Sequence, residues 1–243
     1  MTLFITSSPY IDGADRAILN PVNGFIDRLR ETLPEHPRAL FICSDPDSHD
    51  MTCSFARDTA DAFAEAGMEL QTCHVLDGEN AHKAYGLIQN SDLIVLAGGH
   101  VPTQNSFFQE IGLDVLLQEY DGVVMGISAG TMNSAEIVYV QPEEPGESDP
   151  DFPRFAPGLG LTNANVCPHY QKVKDNILDG KRLFEDITYA DSMGHTFFAL
   201  PDGSYILCDE DGETLFGEAY RIRNGIPEQI CVNGESVDLE GLY

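Results

Sequence analysis

Gly126-Ile127-Ser128-Ala129-Gly130 lies between an apolar run, Gly122-Val123-Val124-Met125, and a helix-compatible run, Thr131-Met132-Asn133-Ser134-Ala135-Glu136. The G-x-S-x-G spacing in a strand–turn–helix setting is that of a nucleophile elbow, in which a sharp turn exposes the serine hydroxyl at the carboxyl end of a strand. The turn is tight, so only small residues can flank the serine, and glycines and Ala129 do so here. In that geometry the N–H of Ala129 points to where an oxyanion would form. The plain alternative is a strand-to-helix turn that happens to contain a serine.

Outward from the elbow the chain alternates. Residues 3–6, 39–43, 70–76, 93–97 and 122–127 read as strands, and 23–32, 51–66, 81–89 and 105–117 as helices. Gly67 is a natural C-terminal stop for the second of these. Such alternation implies βαβ units and a parallel sheet covered on both faces. The predicted fold is therefore α/β: a three-layer α/β/α sandwich with a mostly parallel sheet, in one domain spanning 1–243. Short strand-like runs at 196–200, 205–208, 218–223 and 229–232 predict antiparallel hairpins at the sheet edge. The Pro-, Glu- and Asp-rich stretch 141–153 reads as a mobile surface loop.

The 243 residues carry 40 acids against 13 bases, a net charge of −27. So acidic a chain is a poor partner for nucleic acid or anionic membranes, which require a basic face. No apolar run approaches the roughly 20 residues that span a bilayer, and residues 1–7 lack the features of a signal peptide. The six cysteines are scattered, with no C-x-x-C pair. A reducing, cytoplasmic setting is expected. Four of the bases, Lys172, Lys174, Lys181 and Arg182, fall within eleven residues. On a helix, positions 174, 178, 181 and 182 would share a face, either at the mouth of a site or as an ordinary mixed-charge surface.

A serine nucleophile needs a base, and the base needs an orienting group. His169, in Val166-Cys167-Pro168-His169-Tyr170, follows a strand-like run and is the foremost of seven histidines. His49 and His100, also on strand-end loops, are its competitors. Gly98-Gly99 follows a buried strand, where glycine lets a backbone N–H approach a ligand; a simple turn is the equal alternative. Asp45, Asp47, His49 and Asp50 could pass for a metal cluster, but lack the glycine and terminal glutamate of an EF-hand. Helix capping by Ser48 or Asp50 explains them better, and neither a metal nor a cofactor is expected.

Four segments occur in order: Ala97-Gly98-Gly99, Gly126-Ile127-Ser128-Ala129-Gly130, Cys167-Pro168-His169-Tyr170 and Leu200-Pro201-Asp202-Gly203. In this the chain resembles the dipeptidase E and cyanophycinase family of serine peptidases, across most of its length. The resemblance implies a flavodoxin-like, class I glutamine amidotransferase-like fold. It also implies Ser128 as nucleophile, His169 as base, and the amides of Gly99 and Ala129 as oxyanion hole. Asp202 matches the family's acid and, read as lying on a core strand, is favoured over Glu143 or Glu144 in the acidic loop. Gly98, His100, Lys172 and Lys174 are the expected substrate-binding residues. His100 stands where dipeptidase E has an asparagine, and the arginine with which dipeptidase E holds an aspartyl side chain has no match. The expected activity is cleavage of a small peptide or amide through an acyl-enzyme. A β-aspartyl-arginine hydrolase and a non-catalytic amidotransferase-like binding domain are the alternatives, and a homodimer is an open option.

Overall fold

A computed structural model describes all residues, Met1–Tyr243. Its strands in the first half are β1 (Thr2–Thr6), β2 (Arg38–Ile42), β3 (Thr72–Leu76), β4 (Leu93–Leu96) and β5 (Val123–Ile127), all parallel to one another. Between them run α1 (Phe25–Thr32), α2 (His49–Glu65), α3 (Ala84–Gln89), α4 (Val101–Glu110) and α5 (Leu113–Leu117). The expected helix over 105–117 differs in two ways. It starts four residues earlier, with Pro102 in its first turn, and it breaks at Gly112, which takes a left-handed conformation (φ 62°).

After β5 come α6 (Ala129–Asn133), β6 (Ile137–Tyr139), β7 (Phe155–Pro157), β8 (Asn165–Cys167), α7 (Tyr170–Val173), β9 (Ile177–Leu178) and β10 (Lys181–Arg182). The chain closes with β11 (Thr196–Ala199), β12 (Tyr205–Asp209), β13 (Gly212–Phe216), β14 (Ala219–Arg223), β15 (Ile226–Cys231) and β16 (Ser236–Asp238). The main sheet has eight strands in the order β16-β13-β12-β1-β5-β4-β2-β3, and its last three strands in sequence join antiparallel at the β1 side. The hairpins do not all extend this edge. β11, β14 and β15 join β8 in a separate four-stranded sheet.

Period-two alternation sorts the strand side chains between two cores. Phe4, Phe41, Val95 and Met125 face α1 and α2, packing with Phe25, Leu29 and Phe63. Leu3, Leu40, Ile94 and Val124 face the other way and pack with Ile88, Phe107, Phe108 and Leu113 of α3, α4 and α5. Val166 and Phe198 of the smaller sheet join this second core. Each fully buried side chain of this size contributes roughly 1.5–3 kcal/mol of burial. The result is the α/β/α arrangement, with the small sheet on the α3–α5 side carrying its loops to the carboxyl ends of β1, β5 and β4.

Two other expectations change. Residues 174–182 do not form a helix. Asp179 and Gly180 both adopt positive φ (50° and 79°), the geometry of a two-residue hairpin turn joining β9 to β10. The stretch 141–153 is an excursion from the β6–β7 ribbon and is tied down along its length. Gly146 N–H donates to Asp179 Oδ2 (2.9 Å), Lys181 Nζ to the Ser148 carbonyl (2.7 Å), and Arg154 Nη1 to the Glu147 carbonyl (2.7 Å).

Candidate active site

Three adjacent strands of the main sheet, β1, β5 and β4, supply one half of the site and the smaller sheet the other. β5, between β1 and β4, ends at Ser128, which sits at φ 50°, ψ −108° before α6. A non-glycine residue held there stores about 1–3 kcal/mol of strain. Lacing to β1 supports it: Thr6 Oγ1 donates to the Gly126 carbonyl (2.7 Å) and Thr131 Oγ1 to the Thr6 carbonyl (2.8 Å). The flanking glycines are required by close approach. A Cβ on Gly126 would lie 2.9 Å from Thr131 Cα, and one on Gly130 would collide with the Leu96 carbonyl. The first turn of α6 can therefore lie directly on β4.

β8 of the smaller sheet leads to His169, also left-handed (φ 56°, ψ 28°). Its Nε2 is 3.0 Å from Ser128 Oγ and its Nδ1 is 2.7 Å from Asp202 Oδ1. Asp202 does not lie on a strand. It occupies the turn between β11 and β12, yet its side chain is only 5% exposed. Bonds replace the rigidity a strand would have given. Oδ1 accepts from His169 and from Ser7 Oγ (2.9 Å), and Oδ2 accepts from Gln171 Nε2 (2.7 Å) and Lys172 Nζ (2.9 Å). The Gln171 amide oxygen in turn accepts from Asp202 N–H (3.0 Å). Burial opposes ionisation of this carboxyl, but the bonds from His169, Lys172 and Ser7 outweigh it and hold Asp202 well below the usual carboxylate range.

Ser7, at the end of β1, is fully buried and does two jobs. Its hydroxyl donates to Asp202 and accepts the backbone N–H of His169 (2.7 Å), which fixes the strained imidazole-bearing residue against the acid. With the carboxylate at Nδ1, the imidazole keeps its proton there, leaving Nε2 as acceptor towards Ser128. Ser7 and Gln171 escaped the sequence reading. The one signal for Ser7 was a polar residue closing an apolar strand at the same rim as the elbow.

Gly99, after β4, takes φ 159°, and a Cβ there would fall 2.5 Å from Ser44 Oγ. The N–H groups of Gly99 and Ala129 donate to no carbonyl of the fold. The loop that carries Gly99 is fixed by buried Gln104, whose amide donates to the Ala97 carbonyl (2.8 Å) and accepts from Asn133 (3.0 Å).

None of the remaining expected residues bonds Ser128 or His169. Gly98 packs against the nucleophile's side chain, since a Cβ there would lie 3.3 Å from Ser128 Cβ, and it also borders a hollow on the α2 side with Tyr10 and Phe55. His49, at the start of α2, bonds Asp77 after β3 (2.6 Å), and His100 bonds Thr103 Oγ1 (2.8 Å) and Glu147 Oε1 (2.9 Å); neither meets Ser128. Neither Glu143 nor Glu144 meets the second nitrogen of His169, which Asp202 occupies. Lys172 reaches the site only through Asp202 and also pairs with Asp12 (2.7 Å), while Lys174 is exposed. Neither lysine lines the cavity beside Ser128, because the chain turns into the β9–β10 hairpin instead of continuing a helix along the mouth. The donor atoms of His100, Glu144 and Glu147 lie within 4.8 Å of one another. Both nitrogens of His100 are engaged, and Glu147 Oε2 accepts the N–H groups of Glu143 (2.8 Å) and Glu144 (2.9 Å), so the cluster works as a loop clamp. Ser48 stands at the N-cap position of α2 but makes no side-chain cap bond; its Oγ donates to Asp45 Oδ2 (2.6 Å), and the Asp47 N–H donates to Asp45 Oδ1 (3.1 Å).

All six cysteines are free thiols, and no helix is long and apolar enough to cross a membrane. In fold the chain is similar to a crystal structure of a Listeria monocytogenes protein provisionally named peptidase E. The two share 16% identity with a TM-score of 0.57, over 95% of this chain and 98% of that one. No curated protein sequence matches the chain. The sequence profile of Peptidase family S51 matches residues 3–216, from β1 through β13, and the chain belongs to that family of peptidases.

Proposed function

We propose that this peptidase cleaves small peptides or amides by serine catalysis, with Ser128 as nucleophile, His169 as general base and Asp202 as the group that orients the base. The observation that carries the reading is the unbroken line from Ser128 Oγ to His169 Nε2 (3.0 Å) and from His169 Nδ1 to Asp202 Oδ1 (2.7 Å). In the proposed reaction His169 removes the hydroxyl proton as Ser128 Oγ attacks the scissile carbonyl. The tetrahedral oxyanion is held by the free N–H groups of Gly99 and Ala129. His169 then protonates the leaving amine, the acyl-enzyme forms, and water attacks it by the same proton transfers in reverse. Asp202 remains ionised throughout, stabilising the imidazolium as it forms. No cofactor enters any of these steps.

The cavity beside Ser128, of about 220 Å³, supports a small substrate. The pinned 141–153 segment and the β9–β10 hairpin wall it in. Rapid mixing with aminoacyl 4-nitroanilides tests the reading. A burst of nitroaniline equal to the enzyme concentration is expected whenever deacylation is slower than acylation. Ser128→Ala should lose turnover by at least about 10⁴-fold while keeping its fold. Turnover that survives in Ser128→Ala would assign the chemistry elsewhere, and a folded wild type that cleaves no member of the series would favour a binding role.

A further inference from the structure

We propose that Glu143 selects substrates with a cationic side chain next to the scissile bond, and that acidic side chains are excluded. The inference rests on Ser128 being the reacting residue. The cavity beside Ser128 has apolar walls from Val101, Met132, Val173, Leu178 and Leu183, and Glu143 lies among them. Apart from His169, which is engaged with Ser128 and Asp202, Glu143 is the one ionisable side chain that lines it.

No lysine or arginine lines this space, and the bases bonded around it are already committed. Lys172 is paired with Asp12 and Asp202, Lys181 bonds the Ser148 carbonyl, and Arg154 pairs with Asp191 (3.0 Å). A substrate carboxylate entering this space would therefore meet a carboxylate and no counter-charge. Burial pushes the Glu143 carboxyl up, and Glu147 and Glu144 add to that, while His100 and His169 only partly offset it. Glu143 keeps an exposed surface and pairs with no cation of the fold, so a cation that enters against the apolar wall meets an uncompensated carboxylate. The apolar walls suit the methylene stem of a lysyl, ornithyl or arginyl side chain, whose charged head would reach Glu143. The chain's net charge of −27 draws the same class of substrate towards it.

Glu143 is also held in place. Its N–H donates to Glu147 Oε2 (2.8 Å), and Glu147 Oε1 bonds His100 Nε2 (2.9 Å). His100 and Glu147 are thus positioning residues for the backbone that carries the selecting carboxylate, and His100 acts on substrate through it.

The test compares kcat/KM for the 4-nitroanilides of lysine, arginine, alanine and aspartate in wild type and Glu143→Gln. The expected wild-type order is lysine or arginine above alanine by at least about tenfold, with aspartate lowest. Glu143→Gln should lose at least about tenfold on the two cationic substrates and less than about twofold on alanine. Preference for aspartate in wild type, or equal losses on all four substrates, would overturn the proposal. A second measurement does not depend on turnover: calorimetric binding of lysinamide, alaninamide and aspartic acid α-amide to folded Ser128→Ala protein, with and without Glu143→Gln. Preferential lysinamide binding that Glu143→Gln abolishes supports the assignment even if Ser128 is not the nucleophile. Binding without charge preference overturns it even if Ser128 is.

Discussion

The large sheet and the small sheet contribute to the candidate site in opposite ways. The large sheet supplies Ser128 and Gly99 from the ends of adjacent parallel strands buried on both faces. Their positions follow from local chain geometry: a tight turn, glycines forced by close approach, and side-chain lacing to β1. The small sheet supplies His169 after a three-residue strand and Asp202 from the turn that leaves it. These two side chains take their positions from long-range bonds, with Ser7 from the large sheet joining both. The proposed nucleophile is thus set by what surrounds it in sequence, whereas the proposed base and acid are set by what surrounds them in space.

The sharpest way to break the comparison is at the acid. Asp202→Asn should retain the fold and lower kcat by about 10³–10⁴-fold, because the imidazole then loses the partner that fixes its tautomer. Steady-state kinetics on any cleaved nitroanilide checks this, and a loss below tenfold would mean that the small sheet's acid is ornamental. Stability offers a second view. The folded-state pKa of Asp202 is depressed, so its contribution is present above the ordinary carboxylate pKa of about 4 and is lost as pH falls through the lower folded value. The stability gap between wild type and Asp202→Asn, measured by urea unfolding, should shrink as pH falls below about 4.

A smaller effect is expected at the joint between the sheets. Ser7→Ala removes the donor to Asp202 and the acceptor for His169 N–H. kcat should fall by about 10–100-fold with KM nearly unchanged, since misplacing a base affects the transition state more than binding. A change confined to KM would place Ser7 outside the positioning of the base. The smallest effect belongs to Lys174, which is exposed and reaches neither Asp202 nor the cavity. Lys174→Ala should change kcat/KM by less than about twofold on acidic and neutral substrates alike. A selective loss on acidic substrates would restore a substrate-binding role for the basic stretch.

The same contrast explains what could be read from the chain. The alternating apolar runs of β1, β2, β4 and β5 and the G-x-S-x-G turn are local signals, and both the layered sheet and the serine at the end of β5 follow from them. Residues 174–182 misled because a run of mixed charge suits a helix, although Asp179-Gly180 is itself a strong two-residue hairpin signal. Charge density in 141–153 suggested mobility, but anchors such as Lys181 and Asp179 lie far along the chain and leave no local mark. Gln171 leaves no local mark and Ser7 only the faint one of a polar residue closing an apolar strand, because each matters through a partner distant in sequence, 31 and 195 residues away at Asp202. Asp202 could be picked out only by resemblance, because a polar residue in a turn carries no sign of the four donors that converge on it.

The central claim is that Ser128 is a nucleophile activated by a base delivered from the second sheet. Intact-mass and peptide mapping after treatment with a fluorophosphonate tests it most directly, because the reagent phosphonylates activated serines without requiring knowledge of the substrate. The account predicts a single adduct on Ser128, absent from folded Ser128→Ala and formed at least about a hundredfold more slowly in His169→Gln. An unlabelled wild type, an adduct on another residue, or labelling at the wild-type rate in His169→Gln would contradict it.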